Sequence, residues 1–254
     1  MAEPALTSAA LAARQAFPTG LAQPRGGYRF SLDPLLLAAF ARPKRNARVA
    51  DLGTGCGVAA LALLLTHSTP KSATGFDIDP AMMDAASRNA GRLGLEGMFE
   101  ARELDLKSIR EAVRPESFDC ALANPPYREP GTGLPCQGQE RNRARFATSA
   151  GLSDFLAAAS WLLANRGCLN VVFPAARLAG LLRGCLEARL APKRLRLVHS
   201  RLDEPARLVL LECVKNAGEE LAVEPPLALY EGRGEETRMT QAALEFCPFL
   251  AKNP

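Results

Sequence analysis

Val49-Ala-Asp-Leu-Gly-Thr-Gly-Cys-Gly57 has the pattern of a buried strand that ends in a glycine-rich turn. The alternate glycines Gly53, Gly55 and Gly57 allow backbone conformations that other residues rarely adopt, and they let a ligand approach the main chain. A helical pattern follows at once, from Gly57 to His67. A strand, a glycine turn and a helix in this order favour an α/β fold that binds a nucleotide-like cofactor.

On both sides of this segment, apolar runs of strand length alternate with helical patterns, which is typical of a parallel sheet covered by helices. The predicted strands are Arg48 to Leu52, Ala73 to Asp77, Gly97 to Glu103, Phe118 to Ala123, Cys168 to Phe173, Leu195 to Ser200 and Ala206 to Val214. The predicted helices are Pro34 to Ala41, Gly57 to His67, Pro80 to Leu93, Ser153 to Asn165 and Ala176 to Leu190, with Asn165-Arg-Gly167 as a helix exit.

Only the turn-rich segment Arg201 to Pro205 separates the last two predicted strands, so they should pair as an antiparallel hairpin. We therefore expect an α/β fold with a doubly wound, mostly parallel seven-stranded sheet and a C-terminal antiparallel hairpin. The 254 residues fit a single domain, with an N-terminal extension over 1–46, a core over 47–216 and a tail over 217–254 that packs on the core. The pattern of residues 1–24 and of the tail predicts irregular or weakly helical structure.

Composition argues against several classes of protein. The net charge of +4 is a mild basic excess, which helps binding to polyanions but is common elsewhere. The seven cysteines form no C-x-x-C pair and several lie in apolar runs, which predicts reduced thiols and a cytoplasmic location. His67 and His199 have no cysteines at ligand spacing, so we expect no metal. Neither a signal sequence nor a membrane span is predicted.

Acidic residues follow two further predicted strands. Gly75-Phe-Asp-Ile-Asp79 places Asp77 about 20 residues after the glycine turn, where a carboxylate binds ribose hydroxyls in nucleotide cofactors. In Leu104-Asp-Leu106, Asp105 is placed to accept a hydrogen bond from an adenine amino group. The G-x-G-x-G spacing of the turn fits a nicotinamide cofactor poorly, because dinucleotide sites use G-x-G-x-x-G. A structural turn with Asp77 as a mere strand-end cap stays open as an alternative.

Asn124-Pro-Pro-Tyr127 directly follows a predicted strand and is the most informative motif. Pro125 and Pro126 fix φ and remove two donors, so the turn is stiff. An exocyclic adenine amine or a carboxamide nitrogen is a poor nucleophile because its lone pair is delocalised. The Asn124 side-chain oxygen and the Pro125 carbonyl can accept its two N–H groups and aim the lone pair at a sulfonium methyl, while Tyr127 stacks on the flat group. A rigid β-turn without chemistry is the alternative.

Taken together, Asp51-Leu-Gly-Thr-Gly-Cys-Gly57, Asp77 and Asn124-Pro-Pro-Tyr127 resemble the class I, seven-stranded methyltransferases. More specifically, most of the chain resembles the bacterial tRNA (adenine-N6)-methyltransferase family that modifies the anticodon loop of a valine tRNA. Looser similarities follow in chain order, at Tyr28-Arg-Phe-Ser-Leu-Asp-Pro-Leu-Leu-Leu37, Glu140-Arg-Asn-Arg-Ala-Arg-Phe146, Val171-Val-Phe-Pro174, Arg207-Leu-Val-Leu-Leu211, Leu227-Ala-Leu-Tyr230 and Met239-Thr-Gln-Ala-Ala-Leu244.

This resemblance implies transfer of a methyl group from S-adenosylmethionine to N6 of an adenine in tRNA, with S-adenosylhomocysteine as product. It also implies that residues 28–37 close over the cofactor, with Arg29 and Asp33 toward its amino-acid end. For Asp33, a helix N-cap is the alternative. The expected cofactor-binding residues are then Arg29, Asp33, Asp51, Gly53, Gly55, Gly57, Asp77, Ile78, Asp105, Leu106 and Asn124.

The substrate is expected to contact Tyr127 and the arginines that follow it. Arg141 and Arg145 can bridge phosphates, and Arg145 is next to Phe146, which offers a stacking face. A solvated loop whose charges have no special role is the alternative, and it fits Arg145 less well. The basic residues Lys193, Arg194 and Arg196, and those from Arg42 to Arg48, are interpreted as solvated edges. The Ala-rich N-terminus and the modest basic excess depart from the family pattern.

Two other functions are compatible with the same motifs. A protein glutamine N5-methyltransferase acting on a translation factor faces the same nucleophile problem, and that family also uses Asn-Pro-Pro-Tyr. Such enzymes usually carry an N-terminal helical domain, whereas only residues 1–48 precede Val49, so RNA is the preferred substrate. A non-catalytic RNA-binding module of the same fold would not need Asp51, Asp77 and Asn124 together. We expect a monomer.

Overall fold

Strands and helices alternate along the chain in the order that the apolar pattern predicts. The computed structural model describes residues 6–24, 30–66, 70–127 and 150–252. The helices are α1 (Ser8–Ala16), α2 (Asp33–Phe40), α3 (Val58–Thr66), α4 (Pro80–Arg92), α5 (Ile109–Ala112), α6 (Leu152–Leu162), α7 (Leu178–Glu187) and α8 (Gln241–Phe246). The strands are β1 (Arg48–Leu52), β2 (Ser72–Asp77), β3 (Phe99–Glu103), β4 (Phe118–Ala123), β5 (Leu163–Pro174), β6 (Leu190–His199), β7 (Ala206–Lys215), β8 (Ala222–Val223), β9 (Leu227–Ala228), β10 (Tyr230–Glu231) and β11 (Arg238–Met239).

The main sheet has the order β3-β2-β1-β4-β5-β7-β6-β8, with β9 also paired to β6. Strands β1 to β5 are parallel, and β7 is antiparallel to both β5 and β6. The predicted parallel sheet and C-terminal hairpin are therefore confirmed. The direction of winding reverses between β1 and β4, and ligands bind at such a switch point, outside the carboxyl ends of the strands.

Helices cover both faces of the sheet, so its central strands are buried on both sides. Alternate residues of β1 point to opposite faces, with Val49 in one apolar cluster and Ala50 and Leu52 in the other. Packing from two sides explains why this strand is a continuous apolar run rather than an alternating one. None of the helices within the described ranges has the length and apolar character of a membrane span.

The predicted helix exit at residues 165–167 is wrong. Helix α6 ends at Leu162, and Leu163 is extended, fully buried and paired with Phe118 at the start of β5. Arg166 has φ 63°, and a Cβ on Gly167 would lie 2.9 Å from the Ala164 carbonyl oxygen. The glycine signal therefore marks an irregularity inside a strand rather than the end of a helix.

The tail is more regular than the sequence predicts. Its strands β8 and β9 pair parallel to β6 and raise the strand count of the main sheet from seven to nine, while β10 and β11 form a separate antiparallel pair. Each of these strands has two residues, which is too short to show a period of two in the sequence.

Near the N-terminus, α1 is capped by Thr7, whose side chain accepts a hydrogen bond from the Ala10 N–H.

Arg194 is not part of a solvated edge, contrary to the sequence interpretation. It is 8% exposed, and its guanidinium lies 3.8 Å from the centroid of the Phe40 ring. It donates hydrogen bonds to the Phe40 carbonyl (2.7 Å), to Glu212 (2.9 Å) and to Glu224 (3.3 Å). Two carboxylates neutralise the charge, which makes burial possible. The cluster connects α2, β6, β7 and the tail.

Removing the Arg194 side chain should therefore destabilise the fold strongly. We expect Arg194→Leu to lower the free energy of unfolding by about 3–5 kcal/mol, because Glu212 is left largely buried without its cationic partner, whereas Glu224 keeps Arg42 and Arg196. Denaturant unfolding measures this value. Arg88→Leu is the matched control, since Arg88 pairs with Asp84 on the solvent face of α4 and is 63% exposed. Equal, small effects of the two substitutions would contradict this prediction.

Candidate active site

The register of the sheet brings three predicted site residues to one edge. Leu52 of β1 pairs with Phe76 of β2 on one side and with Ala123 of β4 on the other. The next residue of each segment is Gly53, Asp77 and Asn124, respectively. These residues therefore lie side by side at the carboxyl ends of the strands, at the switch point between β1 and β4.

The glycines of the turn after β1 differ in what surrounds them. Gly53, Gly55 and Gly57 have φ of 64°, 55° and 89°, a region that other residues rarely adopt. A Cβ on Gly53 would lie 2.9 Å from the Phe155 ring, whereas a Cβ on Gly55 would have no atom within 4 Å. Gly53 is thus required for packing, and Gly55 presents open main chain.

Asp77 connects the turn after β1 to the end of β2. One carboxylate oxygen accepts a hydrogen bond from the Gly55 N–H (2.9 Å), and the other accepts one from the Asp79 N–H (3.0 Å). The Thr54 N–H donates to the Phe76 carbonyl across the same junction (3.0 Å). Asp77 therefore holds the turn after β1 against the end of β2.

Residues that follow Asp77 and β3 complete this part of the edge. Ile78 is apolar yet 49% exposed. Asp105 caps the short helix that begins at Leu106, since it accepts a hydrogen bond from the Lys107 N–H (3.0 Å). Leu106 itself is buried in the apolar cluster. The side chain of Ile78 is therefore accessible to a ligand, whereas that of Leu106 packs in the core beneath the loop after β3.

Asp51 lies beneath the glycine turn, where it is only 2% exposed. The same carboxylate oxygen accepts hydrogen bonds from the Thr54 hydroxyl (2.6 Å) and from the Ala60 N–H (3.2 Å). Burial raises the pKa of Asp51 to about 7, the nearby charge of Asp77 adds to that rise, and the two hydrogen bonds oppose it. Asp51 therefore ties the turn to α3 rather than facing a ligand.

The Asn124-Pro-Pro-Tyr127 turn is joined to the start of α2. The Tyr127 hydroxyl donates a hydrogen bond to the Asp33 carboxylate and lies 3.4 Å from the Asn124 side-chain oxygen. The Tyr127 ring meets Phe173 edge to face, with 6.0 Å between centroids. Asn124 and Tyr127 are half-buried and Pro125 is buried, so the turn is packed on the end of the sheet with its polar groups at the edge.

Other predicted residues lie outside the described part of the chain, namely Arg29, Arg141 and Arg145. Within the described residues, no three His, Cys, Asp or Glu side chains come together in an arrangement that could hold a metal ion.

Sequence reasoning missed Asn89, a buried polar residue on α4. Its amide nitrogen donates to the Cys56 carbonyl (2.9 Å) and to the Ala22 carbonyl (3.0 Å), and its oxygen accepts from the Ala22 N–H (2.7 Å). Asn89 therefore ties the segment before β1 to the glycine turn. An asparagine on the apolar face of a predicted helix is the signal that was available in the sequence.

The raised pKa of Asp51 should make the stability of the protein depend on pH. The folded protein holds the Asp51 proton more tightly than the unfolded chain, so the free energy of unfolding falls as pH rises from about 4 to about 7. Asp51→Asn is neutral at every pH and can keep both hydrogen bonds through its amide oxygen. Its stability relative to wild type should therefore rise across this range, by up to about 4 kcal/mol.

Denaturant unfolding at a series of pH values measures this difference. Asp84→Asn, at an aspartate that is 71% exposed, is the control and should follow the wild-type profile. A constant difference between Asp51→Asn and wild type would show that Asp51 titrates normally.

Comparisons with known proteins agree with this arrangement. The family model described as "Methyltransferase small domain" matches residues 33–179. The tRNA1(Val) (adenine(37)-N6)-methyltransferase of Mannheimia succiniciproducens is 34% identical over 142 residues, which cover 56% of this chain and 57% of that protein. The protein of the same name from Parabacteroides distasonis is 29% identical, over 71% of this chain and 74% of that protein. Matches to several of these relatives, including the first, span less than two thirds of their length.

Solved structures show the same fold. A predicted O-methyltransferase from Agrobacterium tumefaciens superimposes with a TM-score of 0.68 at 21% identity, over 85% of this chain and 96% of that chain. The methyltransferase subunit of a type I restriction-modification system from Streptococcus thermophilus gives 0.59 at 16% identity, over 89% of this chain and 53% of that chain. The matched family model covers more than half of the sequence and bears out the resemblance seen in the motifs, so the chain belongs to the methyltransferase small domain family.

Proposed function

We propose that this protein transfers a methyl group from S-adenosylmethionine to the exocyclic N6 of an adenine in tRNA. The observation that carries the proposal is the position of Asn124 beside Gly53 and Asp77, which follows from the pairing of Leu52 with both Phe76 and Ala123. An amide oxygen that can hold an amine thus lies next to a glycine turn that can hold a nucleoside. The names of the relatives support adenine as the acceptor.

The residues at the edge fit S-adenosylmethionine. Gly55 leaves open space where any other residue would place a Cβ, so a ligand can lie against the main chain there. Asp77 ends β2 where a ribose would be held, and the exposed Ile78 next to it offers an apolar face for an adenine. Asp105, after β3, has a second carboxylate oxygen besides the one that caps the short helix. When bound, the cofactor supplies an electrophilic methyl on its sulfonium.

The chain's own contribution is to position the acceptor. The Asn124 side-chain oxygen and the Pro125 carbonyl accept the two N–H groups of the amine, which directs its lone pair out of the purine plane. Tyr127 covers one face of the base and excludes water. No side chain needs to be a strong base, because the nitrogen becomes acidic only once the N–C bond has formed and the S–C bond has broken. The proton then passes to solvent.

We also propose that residues 1–46 and the tail 217–254 belong to one domain with the core, and that the protein acts in the cytoplasm as a monomer. Two contacts support the first part. Asn89 of the core binds the main chain of Ala22, and Arg194 of the core binds Glu224 of the tail.

The proposed reaction is tested in two parallel incubations of the protein with S-adenosylmethionine labelled in its methyl group. One incubation contains total tRNA and the other contains total protein. We expect the label in N6-methyladenosine after digestion of the tRNA to nucleosides. Label in N5-methylglutamine would instead assign a protein substrate, and no label in either pool would refute both of these substrates.

Gly55→Ala should weaken cofactor binding specifically. The added Cβ fills the space against the main chain, so we expect the affinity for S-adenosylhomocysteine, measured by calorimetry, to fall about 10-fold or more. Gly234→Ala is a matched control, because Gly234 in the tail has nearly the same φ (59° against 55°) and equally open surroundings. Both variants carry the same backbone strain, so similar losses of affinity would rule out a binding role for Gly55.

Asn124→Ala should impair chemistry rather than cofactor binding. With one of the two acceptors gone, the amine is no longer oriented, and turnover should fall on the order of 100-fold or more. The affinity for S-adenosylhomocysteine should stay close to wild type. Asn165→Ala, at an exposed residue near the start of β5, is the control. A parallel loss of cofactor affinity in Asn124→Ala would show that Asn124 is a cofactor ligand instead.

A further inference from the structure

We propose that Asp33 is a positioning residue that keeps the Tyr127 hydroxyl from occupying the acceptor oxygen of Asn124. This inference rests on the proposed function, in which that oxygen receives an N–H of the substrate amine. It differs from the role that the family resemblance implies for Asp33, which is contact with the amino-acid end of the cofactor.

The position of Asp33 is fixed by the helix that it begins. Asp33 is the first residue of α2, in which Leu35, Leu36 and Leu37 are completely buried. The Ser31 hydroxyl oxygen accepts a hydrogen bond from the Asp33 N–H (3.4 Å). Packing of the three leucines holds α2 against the sheet. The Asp33 carboxylate therefore has a fixed position at the carboxyl ends of the strands.

Tyr127 is held at both ends of its side chain. Its hydroxyl bonds the Asp33 carboxylate, and its ring packs edge to face on Phe173, which is 2% exposed at the end of β5. Two contacts from different elements restrict the tyrosine side chain. The plane of the ring is therefore set before a base arrives, which lowers the entropic cost of stacking.

The competition between two acceptors explains why the carboxylate matters. A phenol has a single O–H to donate, and the Tyr127 hydroxyl lies near both Asp33 and the Asn124 side-chain oxygen, at 3.4 Å from the latter. A carboxylate is the stronger acceptor, so Asp33 takes the hydrogen. The lone pairs of Asn124 then stay available to the substrate amine. Without Asp33, the hydroxyl would turn to Asn124 and compete with the substrate.

This competition predicts a rescue that a merely structural role would not produce. Asp33→Ala should lower kcat/KM for tRNA methylation about 10-fold or more, since the hydroxyl then donates to Asn124. Tyr127→Phe keeps the ring but loses the hydroxyl, so its own loss should be smaller. The double variant Asp33→Ala/Tyr127→Phe should match Tyr127→Phe and exceed Asp33→Ala. Asp33→Asn, which retains an acceptor oxygen, should restore most of the activity.

Calorimetry with S-adenosylhomocysteine separates this role from cofactor binding. We expect Asp33→Ala to keep the affinity of wild type, and Asp84→Ala on the solvent face of α4 to behave as wild type in both assays. A weaker affinity in Asp33→Ala, with no rescue by Tyr127→Phe, would make Asp33 a cofactor ligand and overturn the inference. If wild type itself methylates no tRNA, the proposed function fails instead.

Discussion

The carboxylate of Asp77 fixes the two turns around which the candidate site is built. It accepts the Gly55 N–H at 2.9 Å, which links the ends of β1 and β2, and the Asp79 N–H at 3.0 Å, which shapes the turn after β2. Because Gly55 has φ 55° and open space in place of a side chain, the fixed turn presents bare main chain to a ligand. The sheet register then places Asn124 next to this junction. Hydrogen bonding within the sheet thereby sets the relative positions of Gly55, Asp77 and Asn124.

The part of the candidate site around Tyr127 is built from more distant parts of the chain. Asp33 at the start of α2 and Phe173 at the end of β5 both contact Tyr127, and Asn89 ties the segment before β1 to the glycine turn. The Arg194 cluster anchors the other end of α2, through the Phe40 ring and carbonyl. The N-terminal segment is thus held both at the site and at the tail. Helix α2 therefore contacts Tyr127 at its first residue and the Arg194 cluster at its last.

Features that depend on neighbouring residues in the sequence were predictable, whereas contacts between residues far apart in the sequence were not. The glycine turn, the acidic strand ends and the proline turn are local patterns, and the parallel sheet brings them together without further information. By contrast, the burial of Arg194 requires Phe40, Glu212 and Glu224, which are far away in the sequence. Short tail strands were missed because two residues show no period. Asp33 and Tyr127 are 94 positions apart in the sequence. Both were predicted as site residues, but their contact was not.

If the proposed function is right, one ligand bound at the Gly55 turn lies next to Asn124. Amide NMR spectra recorded during titration with S-adenosylhomocysteine test this directly, because the Gly55 N–H and the Asn124 side-chain amide give separate resonances. We expect both resonances to shift, with a single dissociation constant. A shift of the Gly55 resonance alone, or saturation of the two at different ligand concentrations, would contradict it.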